Sequence, residues 1–259
     1  MKIVSIDLYA DFGFFRKPET NSTINLSYNM MHKPAVLGVL GAILGLEGYR
    51  EKNIFPEYYT LLKDLPIAIE PLGHDKGNFV KTAIKYTNTV GYANRGTNFI
   101  AEELTLVNPG YRIYLMLEEK EELEMRLLTY LREAKSEFIP YFGKNEFTAW
   151  WCKNSFQEYS FEEGVKSPEA VAIKSLFLKN FVLKENRTDN LEPGIDFLFN
   201  VENIADSYVY FERLPIRFNE ELLQYELGDF AYTTYLVENA TGLENLYWLK
   251  EQNGYVQFI

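Results

Sequence analysis

Cysteine is almost absent from this chain: Cys152 is the only one among 259 residues. A single cysteine excludes an intramolecular disulfide, and it also excludes a zinc site built from several thiolates. Histidine is nearly as scarce, with only His32 and His74 present. A chain without disulfides fits a reducing compartment, and we therefore expect a cytoplasmic protein.

The chain also lacks a hydrophobic run long enough for a membrane. Its most apolar stretch, Pro34 to Leu46, has thirteen residues, and Glu47 and Arg50 follow it closely, whereas a spanning helix needs about 20. The first residues, MKIVSIDLYADFG, carry Asp7 and Asp11 where a signal peptide requires an unbroken apolar core. We therefore expect no membrane partner and no export.

Known catalytic motifs are missing as well. The sequence has no Walker loop, dinucleotide-binding fingerprint, nucleophile elbow, HExxH pair or calcium loop. The pairs Asp7–Asp11 and Glu102–Glu103 have no specific spacing and are interpreted as solvated or helix-capping carboxylates. We accordingly predict no catalytic residue, no metal and no cofactor. One alternative stays open at His32, which could be a general base near Tyr28 and Lys33, or simply a polar residue at a helix entrance.

Positive charge is scarce in the second part of the chain. The net charge is −11, which argues against a general nucleic-acid binder. Residues 1–100, however, hold 11 Lys and Arg against 9 Asp and Glu, whereas residues 101–259 hold 15 against 28. Any site for a polyanion should therefore lie in the first hundred residues.

The order of predicted elements indicates an α+β core. Strands are predicted at Lys2–Tyr9 and Leu65–Leu72, and helices at the apolar run after Pro34, near Tyr58–Leu62, and at Glu118–Lys135. Later strands are predicted at Phe197–Asn200, Tyr208–Glu212, Phe230–Val237 and Tyr255–Ile259. This order favours a ferredoxin-like, RRM-like domain over residues 1–135, followed by a β-rich C-terminal region over residues 136–259.

Two hairpins are predicted between these elements. Residues 73–99 have strand-like ends and a polar, glycine-rich middle, NTVGYANRG, which indicates a long hairpin or a flexible loop. Glu102–Leu117 contains two strand-like stretches, LTLV and YRIYLML, separated by the turn residues NPG. The pattern predicts that these two stretches pair with each other.

Three glycines interrupt the predicted helix after Pro34. Gly38, Gly41 and Gly45 share one face because they are spaced at i, i+3 and i+7. Each glycine within a helix costs about 1 kcal/mol relative to alanine. Two interpretations remain: tight packing of this face on a sheet, or close approach of a bound backbone or partner at the helix start.

The candidate binding site is a group of cations near the start of this helix. Arg16, Lys17, Ser27, Tyr28 and Lys33 precede or begin it, and a helix N-terminus together with Arg and Lys can bind phosphate. The predicted hairpin adds cations and amides, with a ring for stacking on a base: Lys81, Lys85, Tyr92, Asn94 and Arg95. Solvated surface lysines would give the same pattern.

Several stretches resemble a known family. FRKPETNSTINLSY followed by HKPAVLGVLGAILGLEGY, LTLVNPGYRIYLML, PYFGKNEFTAWW and ERLPIRF occur in the order found in CRISPR-associated protein family five. Its members are RAMP-type subunits of type I Cascade surveillance complexes. Within the family, this sequence is most similar to the type I-B branch.

The resemblance implies a function in antiviral defence that the residues alone do not give. In the family, a ferredoxin-like domain carries a long hairpin, the thumb, and the subunit grips the 5′ handle of the CRISPR RNA. It caps the filament of Cascade backbone subunits, contacts the large subunit, and presses its thumb on the duplex between guide RNA and target DNA. The family's order places the thumb at residues 73–99. It places RNA-contacting regions at the segments that contain Phe15, Arg16, Lys17, Ser27, Tyr28, His32, Lys33, Gly143 and Lys144.

One branch of the family is itself an RNA-processing enzyme. Type I-C members are metal-independent endoribonucleases that use Tyr, Lys and His residues. This sequence has no adjacent Lys-His pair. The nearest equivalent is His32-Lys33, in which the two residues occur in the reverse order. We therefore expect a non-catalytic RNA-binding subunit, with a pre-CRISPR-RNA endoribonuclease as the alternative.

Overall fold

The computed structural model describes residues 1–18, 24–52, 54–87, 100–165, 170–179, 207–237, 240 and 243–259. Within these ranges the chain is mostly β. The strands are β1 (Lys2–Ala10), β2 (Phe12–Gly13), β3 (Phe15–Arg16), β4 (Ile24–Tyr28), β5 (Ile67–Leu72), β6 (Lys81–Thr87), β7 (Ile100–Val107), β8 (Gly110–Leu117), β9 (Ala149–Trp150), β10 (Gln157–Tyr159), β11 (Phe161–Glu163), β12 (Phe177–Leu178), β13 (Val209–Asn219), β14 (Gln224–Thr233), β15 (Leu246–Leu249) and β16 (Gly254–Gln257). The helices are α1 (Lys33–Leu44), α2 (Glu57–Leu62) and α3 (Glu122–Glu133), with a 3₁₀ turn at Lys153–Ser155.

The first sheet has the strand order β10-β1-β8-β5, and every neighbouring pair is antiparallel. Helix α1 lies in the connection from β1 to β5, and α3 lies in the connection from β8 to β10. The alternating strand residues Val4, Ile6 and Leu8 are buried in one cluster with residues of both helices, since successive side chains point to opposite faces. The predicted strands at the start of the chain and before residue 72 are confirmed.

Helix α3 shows why its sequence folds as a helix. Leu127, Leu128 and Leu131 are buried along one stripe, as their spacing predicts. The helix begins at Glu122, several residues after the predicted start at Glu118, because Glu121 occupies the N-cap position with an extended backbone. It ends where Ala134 adopts a left-handed conformation, with φ of 50°.

The second sheet corrects the predicted hairpin at Glu102–Leu117. Strand β7 pairs with β2, β4 and β6, and β8 pairs with β1 and β5, so the two stretches lie in different sheets. Asn108, with φ of 50°, and Pro109 turn the chain from one sheet to the other. The NPG signal marked a turn correctly, but the turn joins two sheets.

The long hairpin therefore has different bounds from the predicted 73–99. Its two strands are β6 and β7. Their antiparallel pairing runs from Lys81 opposite Leu106 to Thr87 opposite Ile100. Residues 73–80 instead form a short turn closed by an Asp75–Asn78 bridge. Residues 88–99, which contain the predicted glycine-rich tip, lie outside the described residues.

The C-terminal region forms two further three-stranded sheets, β12-β14-β13 and β11-β15-β16. Residues of β15 and β16, such as Tyr247 and Val256, are buried against Ile3 and Tyr114 on the other face of the first sheet. Strands β9 and β10 belong to the first sheet although they follow residue 135, where the domain boundary is predicted. That boundary stays a prediction, and the predicted strand Phe197–Asn200 lies outside the described residues.

Candidate nucleic-acid interface

A groove with a volume of about 770 Å³ runs along α1. Residues of five parts of the chain line it: the β3 region, the helices α1 and α2 with the segment between them, Glu103 of β7, the loop 138–144, and the paired strands β13 and β14. From α1 the lining residues are mostly small, including Pro34, Ala35, Gly38 and Ala42. The groove therefore brings together four of the five stretches on which the family resemblance was based.

The entrance of α1 is capped by His32. Its Nδ1 accepts a hydrogen bond from the backbone N–H of Ala35, at 3.3 Å, and Pro34 occupies the first turn. The imidazole is buried, with its ring against those of Phe15, Tyr28 and Tyr225. Burial lowers the pKa of His32 to about 3, so the ring is neutral at physiological pH. The helix-entrance interpretation of His32 accounts for these contacts.

The glycines of α1 have three different roles. A Cβ on Gly41 would lie 2.5 Å from the Cβ of Tyr58 on α2, and Gly45 ends the helix in a left-handed conformation with φ of 73°. The predicted packing of this face on a sheet is therefore wrong, because its close neighbours are Tyr58 and the segment around Glu137. Gly38 has open space beside it and lines the groove.

Arg16 and Lys17 point to different surroundings although they are adjacent. Arg16 is exposed and lines the groove, and within the described part of the chain no carboxylate forms an ion pair with it. The Lys17 ammonium lies 2.9 Å from a carboxylate oxygen of Glu212 and 4.9 Å from the ring centre of Tyr28. Arg16 is therefore the cation most available to a phosphate in the groove.

Phe15, Ser27, Tyr28 and Lys33, also predicted to contact RNA, are buried. The Ser27 hydroxyl donates to the carbonyl of Tyr28 and accepts from the N–H of Phe15. The Lys33 ammonium donates to the carbonyl of Ile259, and burial lowers its pKa to about 8. These polar groups have partners within the protein, whereas Phe15 lines the groove. Contact of these residues with RNA stays a prediction.

Two cations of the predicted hairpin lie outside the groove lining. Lys81 and Lys85 are exposed on β6, and neither lines the groove. The Lys85 ammonium is 2.6 Å from a carboxylate oxygen of Glu102 on the paired strand. The remaining predicted hairpin residues, Tyr92, Asn94 and Arg95, lie outside the described residues.

The loop that contains Gly143 and Lys144 packs against the residue before β3. Gly143 has φ of 82°, and a Cβ there would lie 1.9 Å from the carbonyl oxygen of Phe14, so glycine is required for both its conformation and its contact. The Lys144 ammonium forms an ion pair with Glu103 and lies 4.2 Å from the ring centre of Tyr86. Both residues line the groove or connect it to the base of the hairpin.

Two features of the site were not predicted. The first is Glu212, whose carboxylate accepts from the backbone N–H groups of Asn29 and Met30 in addition to Lys17. The second is an exposed rim of Tyr49, Tyr141, Phe138 and Ile139 along the groove. Glu212 opens the quoted stretch ERLPIRF, but nothing in its local pattern indicated a partner 183 residues away.

Two further properties concern the described ranges as a whole. No group of three or more His, Cys, Asp or Glu residues in them could hold a metal ion. None of their helices combines the length and the apolar character needed to cross a membrane.

Comparisons with known proteins give structural likeness only. No protein-family model and no curated protein matches the sequence. Among solved structures, a chain of a CRISPR RNA-guided surveillance complex is similar over 92% of this chain and 91% of its own, with 12% identity and a TM-score of 0.49. A CRISPR protein from Archaeoglobus fulgidus is similar over 99% and 98%, with 13% identity and a TM-score of 0.47.

A third similar structure is the type III-B Cmr-beta complex bound to cognate target RNA and AMPPnP, of which one chain covers 93% of this chain and 86% of its own. Its identity is 12% and its TM-score is 0.46. The structural neighbours are thus CRISPR-associated proteins. With identities near 12% and TM-scores below 0.5, these likenesses assign no function to the chain.

Proposed function

We propose that this chain is a non-catalytic RNA-binding subunit of a type I Cascade surveillance complex, and that its groove grips the 5′ handle of the CRISPR RNA. One observation carries the proposal: four of the five stretches that resemble family five meet around a single groove. Arg16 comes from the first stretch, Gly38 from the helix that follows, Lys144 from the loop PYFGKNEF, and Phe218 from ERLPIRF.

The chemistry of the groove suits a single strand of RNA. Arg16 offers an exposed guanidinium, which binds phosphate bidentately. Tyr49 and Tyr141 offer exposed rings on which bases can stack, and such contacts are worth about 1–3 kcal/mol each. Gly38 leaves space for a backbone to approach α1.

The architecture supports the same proposal. In the chain order of the first sheet, β1, β5, β8 and β10 are strands one to four, so their spatial order is 4-1-3-2 with α1 and α3 as crossovers. This order supports our proposal of a ferredoxin-like domain, in which the paired strands β6 and β7 would be the thumb. As partners we propose the Cascade backbone subunits, the large subunit and target DNA within the assembled complex.

The proposal is tested by expressing the chain with its neighbouring gene products, purifying the assembly and sequencing the bound RNA. We expect RNAs that share one 5′ end derived from a CRISPR repeat. Gly38→Leu fills the groove at a position with open space, and it should reduce the RNA recovered without lowering thermal stability. Recovery of no RNA, or of RNAs without a common 5′ end, would contradict the proposal.

The alternative of a processing endoribonuclease is tested with the same chain. Purified protein is incubated with repeat RNA in EDTA, and the RNA is inspected for cleavage 5′ of the handle. We expect none, because His32 uses its Nδ1 to cap α1, and its pKa of about 3 makes the buried imidazole a weak base. Cleavage that His32→Asn abolishes would establish the enzyme instead.

A further inference from the structure

A carboxylate lies in the wall of the proposed RNA groove. Glu103, on β7, lines the groove together with Arg16 and Lys144, and only 12% of its side chain is exposed. A negative charge at this position repels a phosphate, and the repulsion is strong because the site is partly shielded from water. An RNA-binding groove therefore contains a group that opposes its ligand.

The carboxylate of Glu103 neutralises the nearest lysine. It accepts a hydrogen bond from the Lys144 ammonium, which also lies over the rings of Tyr86 and Phe14, at 4.2 and 5.3 Å. Burial lowers the pKa of Lys144, but the hydrogen bond and charge of Glu103 raise it above its usual value. The Lys144 ammonium is therefore charged and already paired with the Glu103 carboxylate.

The same arrangement recurs at two other lysines of the predicted site. Lys17 is paired with Glu212 at 2.9 Å, and Lys85 with Glu102 at 2.6 Å. Of the three carboxylates, Glu103 alone lines the groove. An RNA phosphate that approaches Lys144 must therefore displace Glu103 before it gains the charge of the lysine.

We infer that Glu103 is a specificity-determining residue. Its ion pair with Lys144 competes with the phosphates of any polyanion, and only an RNA that also fills the groove binds strongly enough to displace the carboxylate. This inference rests on the proposed RNA-binding function. A generic strand offers phosphates alone, so it gains little from exchanging one anion for another at Lys144. An RNA whose bases also stack on Tyr49 and Tyr141 has additional binding energy with which to displace the carboxylate.

The test measures binding of two RNAs to wild-type chain and to Glu103→Gln, a substitution of nearly the same shape. One probe is a uridine homopolymer, and the other is a synthetic copy of the 5′ end of the RNA that co-purifies with the assembly. Glu103→Gln should raise homopolymer affinity about tenfold, the effect of one charge-assisted phosphate contact. It should also steepen the dependence of log affinity on log salt by about 0.7, and raise affinity for the co-purified sequence less.

The control is Glu146→Gln, which removes the same charge from an exposed carboxylate 3.9 Å from the Lys144 ammonium but outside the groove lining. It should change homopolymer affinity by less than about twofold, as for an exposed ion pair. The double variant Glu103→Gln, Lys144→Gln should lose the gain. Glu103→Asp, which keeps the charge but withdraws it from the ammonium, gives an intermediate gain if Glu103→Gln does not fold.

Equal homopolymer binding by wild type and Glu103→Gln would overturn the inference, as would an equal gain from Glu146→Gln or a gain that persists in the double variant. In each of these cases the proposed function stands if the wild-type chain binds the co-purified sequence. If the wild-type chain binds neither RNA, the proposed function fails, and the masking role of Glu103 fails with it.

Discussion

At the scale of residues, the adjacent cations Arg16 and Lys17 have different surroundings. Arg16 lines the groove, where a ligand can reach it, and Lys17 forms an ion pair within the protein. Arg16 and Lys17 are neighbours, so their side chains point to opposite faces of the chain. Arg16 reaches the groove, whereas Lys17 reaches Glu212, which also binds two backbone N–H groups just before α1. The sequence indicated a basic pair. Only the long-range contact between Lys17 and Glu212 shows that Arg16 and Lys17 have different roles.

Arg16→Ala should weaken binding of the co-purified RNA about tenfold, because it removes one charge-assisted phosphate contact. It should also reduce the slope of log affinity against log salt by about 0.7. Fluorescence anisotropy over a salt series measures both. Lys179→Ala is the matched control, since Lys179 lies in the acidic part of the chain, 5.0 Å from the ring centre of Phe211. A silent Arg16 change beside a damaging Lys179 change would place the RNA elsewhere.

His32 should make the protein less stable as the pH falls. Its pKa is about 3 in the folded chain and about 6.5 when unfolded, so the unfolded state binds more protons between these values. Stability is therefore fully present above about pH 6.5 and is lost as pH falls below it. From pH 7 to 5 the loss through His32 should be about 2 kcal/mol.

Urea unfolding of wild type and His32→Asn at the two pH values measures this term. Asn keeps the capping function but does not titrate, so the loss between pH 7 and 5 should be smaller in the variant. The comparison is made within each protein, which removes the cost of the lost ring contacts. The same pH dependence in both proteins would show that His32 is protonated in the folded state.

At the scale of elements, local patterns predicted strands and helices better than their pairing. The apolar stripe of α3 and the alternation of β1 are local, and both elements formed where expected. The partner of β7 depends on strands distant in sequence, so the NPG turn was taken for a hairpin when the chain instead crosses between sheets. The groove could not be predicted for the same reason, since its five parts meet only in the fold.

The glycine face of α1 gives a paired prediction. Gly41→Ala should lower the free energy of unfolding by about 1–3 kcal/mol, because the new Cβ would meet the Cβ of Tyr58 at 2.5 Å. Gly38→Ala should raise it by up to about 1 kcal/mol, because the space is open and alanine favours the helix. Urea unfolding of the two variants measures the contrast. Equal effects would show that α2 does not pack closely on this face.

At the scale of the whole molecule, the two parts of the chain share one core. Val4 and Leu40 belong to the same buried cluster as Leu214 and Phe230. The backbone of Ile259 also exchanges hydrogen bonds with Ile67 on the outer edge of β5. Each part therefore covers apolar surface of the other, as expected if the predicted C-terminal region packs on the domain of residues 1–135.

We therefore expect a single cooperative unfolding transition. Far-ultraviolet circular dichroism and tryptophan fluorescence should give coincident urea curves, since Trp151 belongs to this cluster. A fragment of residues 1–135 should not show such a transition, because it would expose the surface that β13–β16 cover. Two separate transitions, or a fragment that unfolds cooperatively, would instead support independent domains.

The last prediction concerns the division of labour between groove and hairpin. Lys81 and Lys85 stand on the hairpin and outside the groove lining, so a change at Lys85 should act on a ligand other than the RNA handle. In the resemblance, that ligand is the duplex of guide and target or a neighbouring subunit. Lys85→Ala combined with Arg95→Ala should leave affinity for the co-purified RNA within about twofold of wild type, if the hairpin does not contact the handle.

The same double change should weaken capture of target DNA by the assembled complex at least about tenfold, since each well-formed phosphate contact is worth about 1.5–3 kcal/mol. Anisotropy with the free chain measures the first effect, and a gel-shift assay with the assembled complex measures the second. Lys179→Ala with Lys184→Ala removes two positive charges from the acidic part of the chain and should change neither. If the hairpin variant loses the RNA handle but still captures DNA, the roles of groove and hairpin are reversed.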